Sequence, residues 1–443
     1  MKILWHSTAP WSPSSYSILT ARAVPSIVKA GHQVAIGTWY GLQGQPLPWT
    51  IQDKKTGEPI ARVDVFPAGD GPSFSQDVLV QLYNYIGAEA AIVVSDCWPF
   101  KPDITRQIVY CPWLPVDHDP APKPVLEALQ TAVYPMVYSR WGVDVLKRAG
   151  VKAAYIPCSA PGDIFKPADK KAARKQLGII DKAKFIVGMV AANKDGQDRK
   201  GLSEGLQAFA RFAESHEGAY LYLHTNVNGP INVLGIAKSL GIRKRIIQCD
   251  PLGYTLGMLD TGYMVNAYNA CDVLLNLAKS EGFGLPLLEA QLCGVPVIAT
   301  DFSTTNELLW AGWRVSGQKH WSPGLDSWRL MPDVDVAADV LEEAYRSRNN
   351  KSLKTQARRG ALSLDSDRVF HNHWIPALMD IEKIIEGGKP VYDFAKSFGD
   401  KIPIQPFGAP ADRIAPGPEA IGAGGTLGAG PVFGNLEDTN EAA

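Results

Sequence analysis

The chain is poor in features that would tie it to a membrane, a metal cluster or a nucleic-acid backbone. No apolar run in its 443 residues approaches the ~20 that span a bilayer, so no transmembrane segment is expected. Residues 1–11 lack the long apolar core of a secretory signal, and the expected location is cytoplasmic. Neither sign of charge is in excess: 44 Lys+Arg against 45 Asp+Glu leave a formal net charge of −1, which supplies no global positive field to release counterions from a polynucleotide. Cysteine is scarce and scattered. Cys97, Cys111, Cys158, Cys249, Cys271 and Cys293 form no C-x-x-C pair and lie mostly in or beside apolar runs, which predicts reduced core thiols and not zinc ligands. With 46% hydrophobic and only 20% charged residues the composition is that of a folded chain, and the length predicts two or three domains.

What is present is a repeated strand–helix grammar. The apolar run Lys2-Ile3-Leu4-Trp5-His6 is followed by a Pro/Ser loop, an amphipathic stretch over 17–30, Gly31, and a second apolar run over 33–38. A strand, a helix ended by glycine and another apolar strand form a βαβ unit with a right-handed crossover. The pattern continues with strands over 62–66, 91–95, 108–113, 134–139 and 153–157, alternating with helices over 76–86, 125–131 and 141–149. After a polar, Lys-rich stretch it restarts, with strands over 185–190, 220–224, 246–249, 273–277 and 296–300 and helices over 202–214, 232–240 and 285–292. This predicts an α/β protein of two Rossmann-like, doubly wound domains facing across a cleft, since ligands of such sheets bind outside the carboxyl ends of the strands. The expected divisions are 1–170, 178–365, a C-terminal helix over 366–388 that packs back on the first domain, and a Gly/Pro-rich, irregular or disordered tail over 389–443.

The most informative stretch is NLAKSEGFGLPLLEAQLCGVPVIATD, residues 276–301. A strand runs into a glycine-rich turn, and Leu285 or Pro286 opens a helix. Glu281 and Glu289 are separated by seven residues, one in the loop and one on the first turns of the helix, where both can reach a ligand lying across its N-terminus. Glycines allow close backbone approach, free N–H groups suit diphosphate or sugar oxygens, and carboxylates accept hydrogen bonds from vicinal hydroxyls. Arg199-Lys200-Gly201 follows a strand and an irregular loop and opens another helix, which sets two fixed cations at an anion site. Such cations can neutralise a departing diphosphate without a metal.

With these motifs the sequence resembles the retaining GT-B glycosyltransferases of the family 4 type, the group 1 enzymes with an E-x7-E element. The resemblance runs over most of residues 1–385 and includes Val137-Tyr138-Ser139, Ile156-Pro157, Ile164-Phe165-Lys166-Pro167, Tyr268-Asn269-Ala270-Cys271-Asp272, and Pro296-Val297-Ile298-Ala299-Thr300-Asp301 with Glu307. It implies transfer of a sugar from a UDP- or GDP-sugar to an acceptor hydroxyl with retention at the anomeric carbon, with no cofactor and no metal. Glu281 would lie at the donor sugar, Glu289 at the ribose, and the backbone of Gly282, Phe283, Gly284 and Leu285 along the sugar and diphosphate, while Arg199 and Lys200 would stabilise the leaving group. Three positions depart from the family: the usual Gly-rich first turn is Trp11-Ser12-Pro13-Ser14-Ser15-Tyr16, where Ser15 is a candidate donor contact, the usual Pro-Asn-Gly-Val-Asp link is Pro157-Cys158-Ser159-Ala160-Pro161, and an arginine often found after the second domain's first strand is Asn193, a second candidate donor contact.

The acceptor half is less marked. Asp96, Asp117 and His118 follow apolar strands at the ends where clefts form and are candidates to receive or orient the acceptor hydroxyl proton. Trp11, Trp39, Trp49, Trp98 and Trp113 either line an acceptor groove or pack the core. Three Asp-x-Asp pairs, at 117/119, 333/335 and 365/367, are read as chance occurrences. The residues leave open whether the acceptor is a glycan, a protein, a lipid or a modified DNA base, and they leave open the oligomeric state. Two other readings stay beside this one: a sugar-nucleotide or glycan-binding protein without turnover, and a GT-B-like phosphorylase or epimerase.

Overall fold

The computed structural model describes residues 1–387 apart from 54–55, 72–73 and 180–181; the expected tail 389–443 lies outside the described residues. The first sheet contains β1 (Lys2–Thr8), β2 (Gln33–Tyr40), β3 (Leu47–Gln52), β4 (Pro59–Phe66), β5 (Ala90–Val94), β6 (Tyr110–Leu114), β7 (Met136–Val137) and β8 (Ala154–Tyr155), in the order β3-β4-β2-β1-β5-β6-β7-β8. Only β3 runs antiparallel to its neighbour, β4. The central strands read as continuous apolar runs because helices cover both faces: Ile3, Leu4, Trp5 and all of β5 are buried. The first of those helices, Ser15–Lys29, starts where the Ser14 hydroxyl accepts the Ser17 N–H at 3.1 Å, and it lays Leu19, Ala23, Val24 and Ile27 on the sheet.

The second sheet is all parallel: β9 (Phe185–Val190), β10 (Ala219–His224), β11 (Ile246–Gln248), β12 (Val273–Asn276), β13 (Val297–Thr300) and β14 (Gly312–Val315), ordered β11-β10-β9-β12-β13-β14. Each sheet reverses its strand order once, between β1 and β5 in the first and between β9 and β12 in the second. Those switch points are where an open α/β sheet leaves a crevice for a ligand. An antiparallel hairpin, β15 (Gly317–Ser322) with β16 (Ser327–Pro332), follows β14 and touches both domains. The Trp328 N–H donates to the Asp119 carbonyl at 2.8 Å and the Leu330 N–H to the Lys279 carbonyl at 3.0 Å. All six cysteines are buried and unpaired, as their apolar setting predicts.

The chain passes between the domains near Ala160 and again near Asp365, and the two passages run side by side. Ala160 and Asp365 form a parallel bridge, Ser366 N–H donates to the Ala160 carbonyl at 3.2 Å, and Asp365 Oδ2 accepts the Gly162 N–H at 2.9 Å. Beyond the second passage the helix is interrupted. Pro376 has no N–H to give residue 372, and the turn Phe370–Trp374 widens to a π-helix before Ile375–Ile385 continues. Trp374 packs against Trp5 and Trp113 of the first domain, with ring centroids 5.7 and 4.8 Å away.

Candidate active site

The residues that the sequence singles out flank the two switch points. In the second domain, the loop after β9 is held from inside: the Asn193 amide donates to the Asn226 and Ile231 carbonyls at 2.9 and 2.8 Å, and its oxygen accepts the Ile231 N–H at 3.0 Å. Asn193 therefore braces a loop, and its amide is directed at protein backbone instead of at a donor. Asp198 caps the helix Leu202–Glu214 by accepting the Leu202 and Ser203 N–H groups at 2.8 and 2.7 Å. Gly201 lets that cap sit against β12, since a Cβ there would lie 2.0 Å from the Leu277 carbonyl oxygen, at a φ of +63°. The result brings Lys200 to Glu281: Nζ lies 2.8 Å from both carboxylate oxygens. Arg199 Nη1 donates to the Ser280 carbonyl at 2.9 Å and lies 3.4 Å from Asp117 Oδ2, across the domain boundary.

The loop 281–284 is fixed from below by the turn Ser303–Asn306. Glu281 N–H donates to Ser303 Oγ at 3.0 Å, and the Glu281 carbonyl accepts from Thr304 Oγ1. Gly284, at φ +102°, turns the chain into the helix Leu285–Leu292. Among the described residues, the N–H groups of Gly282, Phe283 and Gly284 find no protein acceptor, which leaves consecutive donors at a helix start, the arrangement that suits an anion. Gly282 also meets the first domain: a Cβ there would be 2.3 Å from Pro115 Cβ. Glu289 points the other way. Its oxygens accept from Tyr268 Oη at 2.7 Å and from Arg22 Nη2 at 2.5 Å, a bridge between the two domains. A carboxylate has four lone-pair positions, so room for further hydroxyls remains.

On the first domain's side, Asp96 follows β5 and accepts from Tyr16 Oη at 3.0 Å. Asp117 and His118 follow β6, with His118 Nδ1 2.5 Å from Asp117 Oδ1. Arg329 of β16 reaches between the domains, its Nε and Nη2 at 3.3 and 3.1 Å from His118 Nε2 and its Nη1 donating to Gln197 Oε1 at 3.0 Å. A guanidinium only donates, so His118 Nε2 accepts and the ring proton sits on Nδ1, facing Asp117. This revises the expectation for His118: the lone pair that would take a hydroxyl proton is engaged by Arg329.

The carboxylates have unlike electrostatics. Burial pushes the Asp96 pKa up and the nearby Asp117 adds to it, against the opposing Tyr16 bond and Arg199 charge. Burial acts on Asp117 in the same sense, but the hydrogen bond from His118 and the charges of Arg199 and Arg329 prevail and hold it well below the usual carboxylate range. Asp96 is thus the stronger base of the two. Burial, with Arg199 acting the same way, depresses the Lys200 ammonium pKa against the pull of Glu281.

Arg199, Lys200, Glu281, Asp96, Asp117 and His118 therefore come together around one cleft. Ser15 stands exposed at the start of the first helix, where Ser14 supplies the cap. Trp113 does not line a groove: it is 2% exposed, donates to the Ile156 carbonyl at 2.8 Å and packs on Trp5 and Trp374. Tyr16, Trp39, Phe74 and Trp98 instead form an aromatic row beside Asp96. The Asp-x-Asp pairs have structural partners: Asp119 pairs with Arg148, Asp333 and Asp365 cap helices, and Asp335 meets Arg211. Sequence reading gave no role to Arg329, Tyr16, Gln197, Arg22 and Tyr268. Tyr268 stood within a family-like run, and Arg329 carried a signal of its own, because Ser322-Pro323-Gly324-Leu325-Asp326 between two Trp-bearing runs is a hairpin turn.

Known proteins resemble this chain in part of its sequence and in its fold. Residues 169–312 match the family model for glycosyl transferases group 1. D-inositol 3-phosphate glycosyltransferases of Acidothermus cellulolyticus and Mycobacterium bovis are 29% and 28% identical over 168 and 166 residues, which is 35% of this chain in each case and 35% and 31% of theirs. The chain thus spans about a third of the length of the curated relatives it matches. Among solved structures, sucrose-phosphate synthase of Thermosynechococcus elongatus superposes with a TM-score of 0.62 at 15% identity, covering 87% of this chain and 98% of that one. Anabaena HepE, solved with UDP-glucose, superposes with a TM-score of 0.60 at 14% identity, covering 87% and 100%. The fold is GT-B: two Rossmann-like α/β domains with the cleft between them.

Proposed function

We propose that the protein is a retaining glycosyltransferase that moves a sugar from a UDP- or GDP-sugar to an acceptor hydroxyl without a metal. The observation that carries this reading is the juxtaposition of Arg199, Lys200 and Glu281 with unpaired N–H groups at a helix start, on the second domain's switch point. The diphosphate of the donor takes the N–H groups of 282–284 and the two cations, and donor hydroxyls take the Glu281 carboxylate that Lys200 now holds. As the glycosidic C–O bond breaks, negative charge grows on the leaving diphosphate, where fixed cations in a closed cleft stabilise the transition state more than the ground state. The acceptor hydroxyl arrives from the first domain, on the leaving-group face, so the new bond keeps the old configuration. Its proton passes to a diphosphate oxygen, with Asp96 the nearby carboxyl whose raised pKa suits a proton relay. The aromatic row beside Asp96 offers flat faces for an acceptor. The relatives named as D-inositol 3-phosphate glycosyltransferases support the glycosyltransferase reading, and the UDP-glucose complex of HepE supports the donor class.

The test is thermal unfolding of wild type and Lys200→Ala with UDP, GDP, ADP and dTDP, each with magnesium and with chelator. A ligand at a hundredfold its Kd adds about 2.7 kcal/mol to stability. One diphosphate stabilising wild type equally in chelator, followed by an α-to-α or β-to-β product in NMR of the reaction mixture, is the expected result. No stabilisation at millimolar ligand would remove the donor site, and a strict magnesium requirement would remove the metal-free mechanism.

A further inference from the structure

Arg329 is the cation that this mechanism leaves over. It is 9% exposed, and among the described residues no carboxylate forms an ion pair with it; its partners are the neutral His118 Nε2 and Gln197 Oε1. Its neighbours in the cleft are matched differently, Arg199 with Asp117 and Lys200 with Glu281. Asp117 and Asp195 favour the charge of Arg329 from beyond ion-pair distance, but burial still prevails against the charged form, a desolvation penalty that an anion arriving within hydrogen-bond reach would relieve. Its position is also set with care. Trp328 and Leu330, on either side of it, donate their backbone N–H groups to the first and second domains respectively, and Arg329 between them reaches Gln197 and His118 from the two sides of the cleft.

We propose that Arg329 binds a second substrate anion, a carboxylate or phosphate group distinct from the donor diphosphate, whose oxygens replace His118 Nε2 in the guanidinium fork. Fork geometry matches either group through paired N–H donors. Displacement returns the Nε2 lone pair of His118 to the cleft, so the same binding event that fills Arg329 restores a proton acceptor next to the acceptor hydroxyl. The inference rests on the donor reading for the assignment of the diphosphate to Arg199 and Lys200. The anion comes either from a carboxylated donor sugar or from an acidic acceptor.

Isothermal titration separates these sources, using wild type, Arg329→Gln and Arg329→Lys with UDP, then UDP-glucose against UDP-glucuronate, then glucose against glucose 6-phosphate in the presence of UDP. Wild type is expected to prefer the charged member of one pair. Arg329→Gln should erase that preference, about tenfold or more as for a charge-assisted bond, and leave UDP affinity unchanged within error. Arg329→Lys, which keeps the charge and loses the fork, should fall between and also serves if the glutamine variant melts below the assay temperature. Preference within the first pair assigns the anion to the donor, and within the second to the acceptor. Equal binding of both members of both pairs to wild type would overturn the proposal, as would equal losses for charged and neutral members in the variants, which would reduce Arg329 to a strap between domains. Were UDP itself not to bind while glucose 6-phosphate still bound in an Arg329-dependent way, the donor reading would fall and the anion site would stand.

Discussion

The bridge between Arg22 and Glu289 gives the sharpest quantitative expectation. Both side chains are largely withdrawn from water, 13% and 8% exposed, which puts the pair outside the range of surface ion pairs that contribute about 0–1 kcal/mol. Glu289→Ala leaves Arg22 with the Ser159 carbonyl at 2.7 Å as its remaining hydrogen-bond acceptor and leaves Tyr268 without its carboxylate. Breaking a buried pair from one side costs about 3–5 kcal/mol, most of it the penalty of the stranded charge. Arg22→Met should cost a comparable amount by stranding Glu289 on Tyr268. The double variant strands neither charge, so its loss should fall short of the sum of the single losses by about 2–4 kcal/mol. Glu289→Gln is the control for geometry: an amide oxygen still accepts from Tyr268, and only the charge-assisted part of the bond, about 1–2 kcal/mol, is removed. Urea unfolding followed by tryptophan emission reports all four proteins, and the bridge links the domains, so uncoupling should also separate one transition into two. A coupling energy below about 0.5 kcal/mol, the value for exposed pairs, would refute the claim that this contact fastens the domains together.

Three further outcomes follow from the geometry. Gly282→Ala places a Cβ 2.3 Å from Pro115 Cβ, an overpacking of about 1–3 kcal/mol that the cleft relieves by opening; turnover should fall roughly 5–100-fold with little change in the melting temperature, and unchanged turnover would show that closure does not require this contact. Asp96 has a raised folded-state pKa, so the folded state binds more protons and its burial opposes folding as pH rises above the ordinary value of 3.8; Asp96→Asn should therefore raise stability near pH 7 and lose that advantage below about pH 4, and a variant destabilised at neutral pH would contradict the assignment. Burial lowers the His6 pKa from 6.5 to about 4 against the Phe74 carbonyl bond, so the unfolded state takes the proton first and stability drains as pH falls between those values, by about 2 kcal/mol from pH 7 to 5; denaturant melts of His6→Gln across that range should show a slope shallower by that amount.

The legible part of this molecule was the part written in local grammar. Short continuous apolar runs and glycine punctuation marked most strands of both sheets, and the E-x7-E and Arg-Lys-Gly elements pointed to the second domain's switch point because the candidate residues there lie close together in sequence at strand ends. Four strands went unread. β3 is an exposed edge strand with Pro48 near its start, β14 is short, and the first strand of the β15–β16 hairpin, Gly317-Gln318-Lys319-His320-Trp321-Ser322, has almost no apolar run. The candidate-site residues that escaped notice are those delivered by tertiary contact. Arg22 reaches Glu289 from 267 positions away, and Arg329 reaches His118 from 211, so no spacing rule joins them. Asn193 shows the reverse error: a polar residue beside the site was read as a ligand contact because the carbonyls that engage it lie over thirty residues ahead.

The two adjacent passages near Ala160 and Asp365 make the second domain an insertion within the first, entered and left through one narrow doorway. The first domain is consequently discontinuous, since its core needs Trp374 from beyond the insertion to fill the space between Trp5 and Trp113. Cutting the chain after the second sheet would leave the first domain with a hole in it, whereas excising the stretch between the passages and joining their ends would preserve both cores. Two chain passages joined in one doorway also tether the halves at a single place, so that they cannot drift apart like beads on a string.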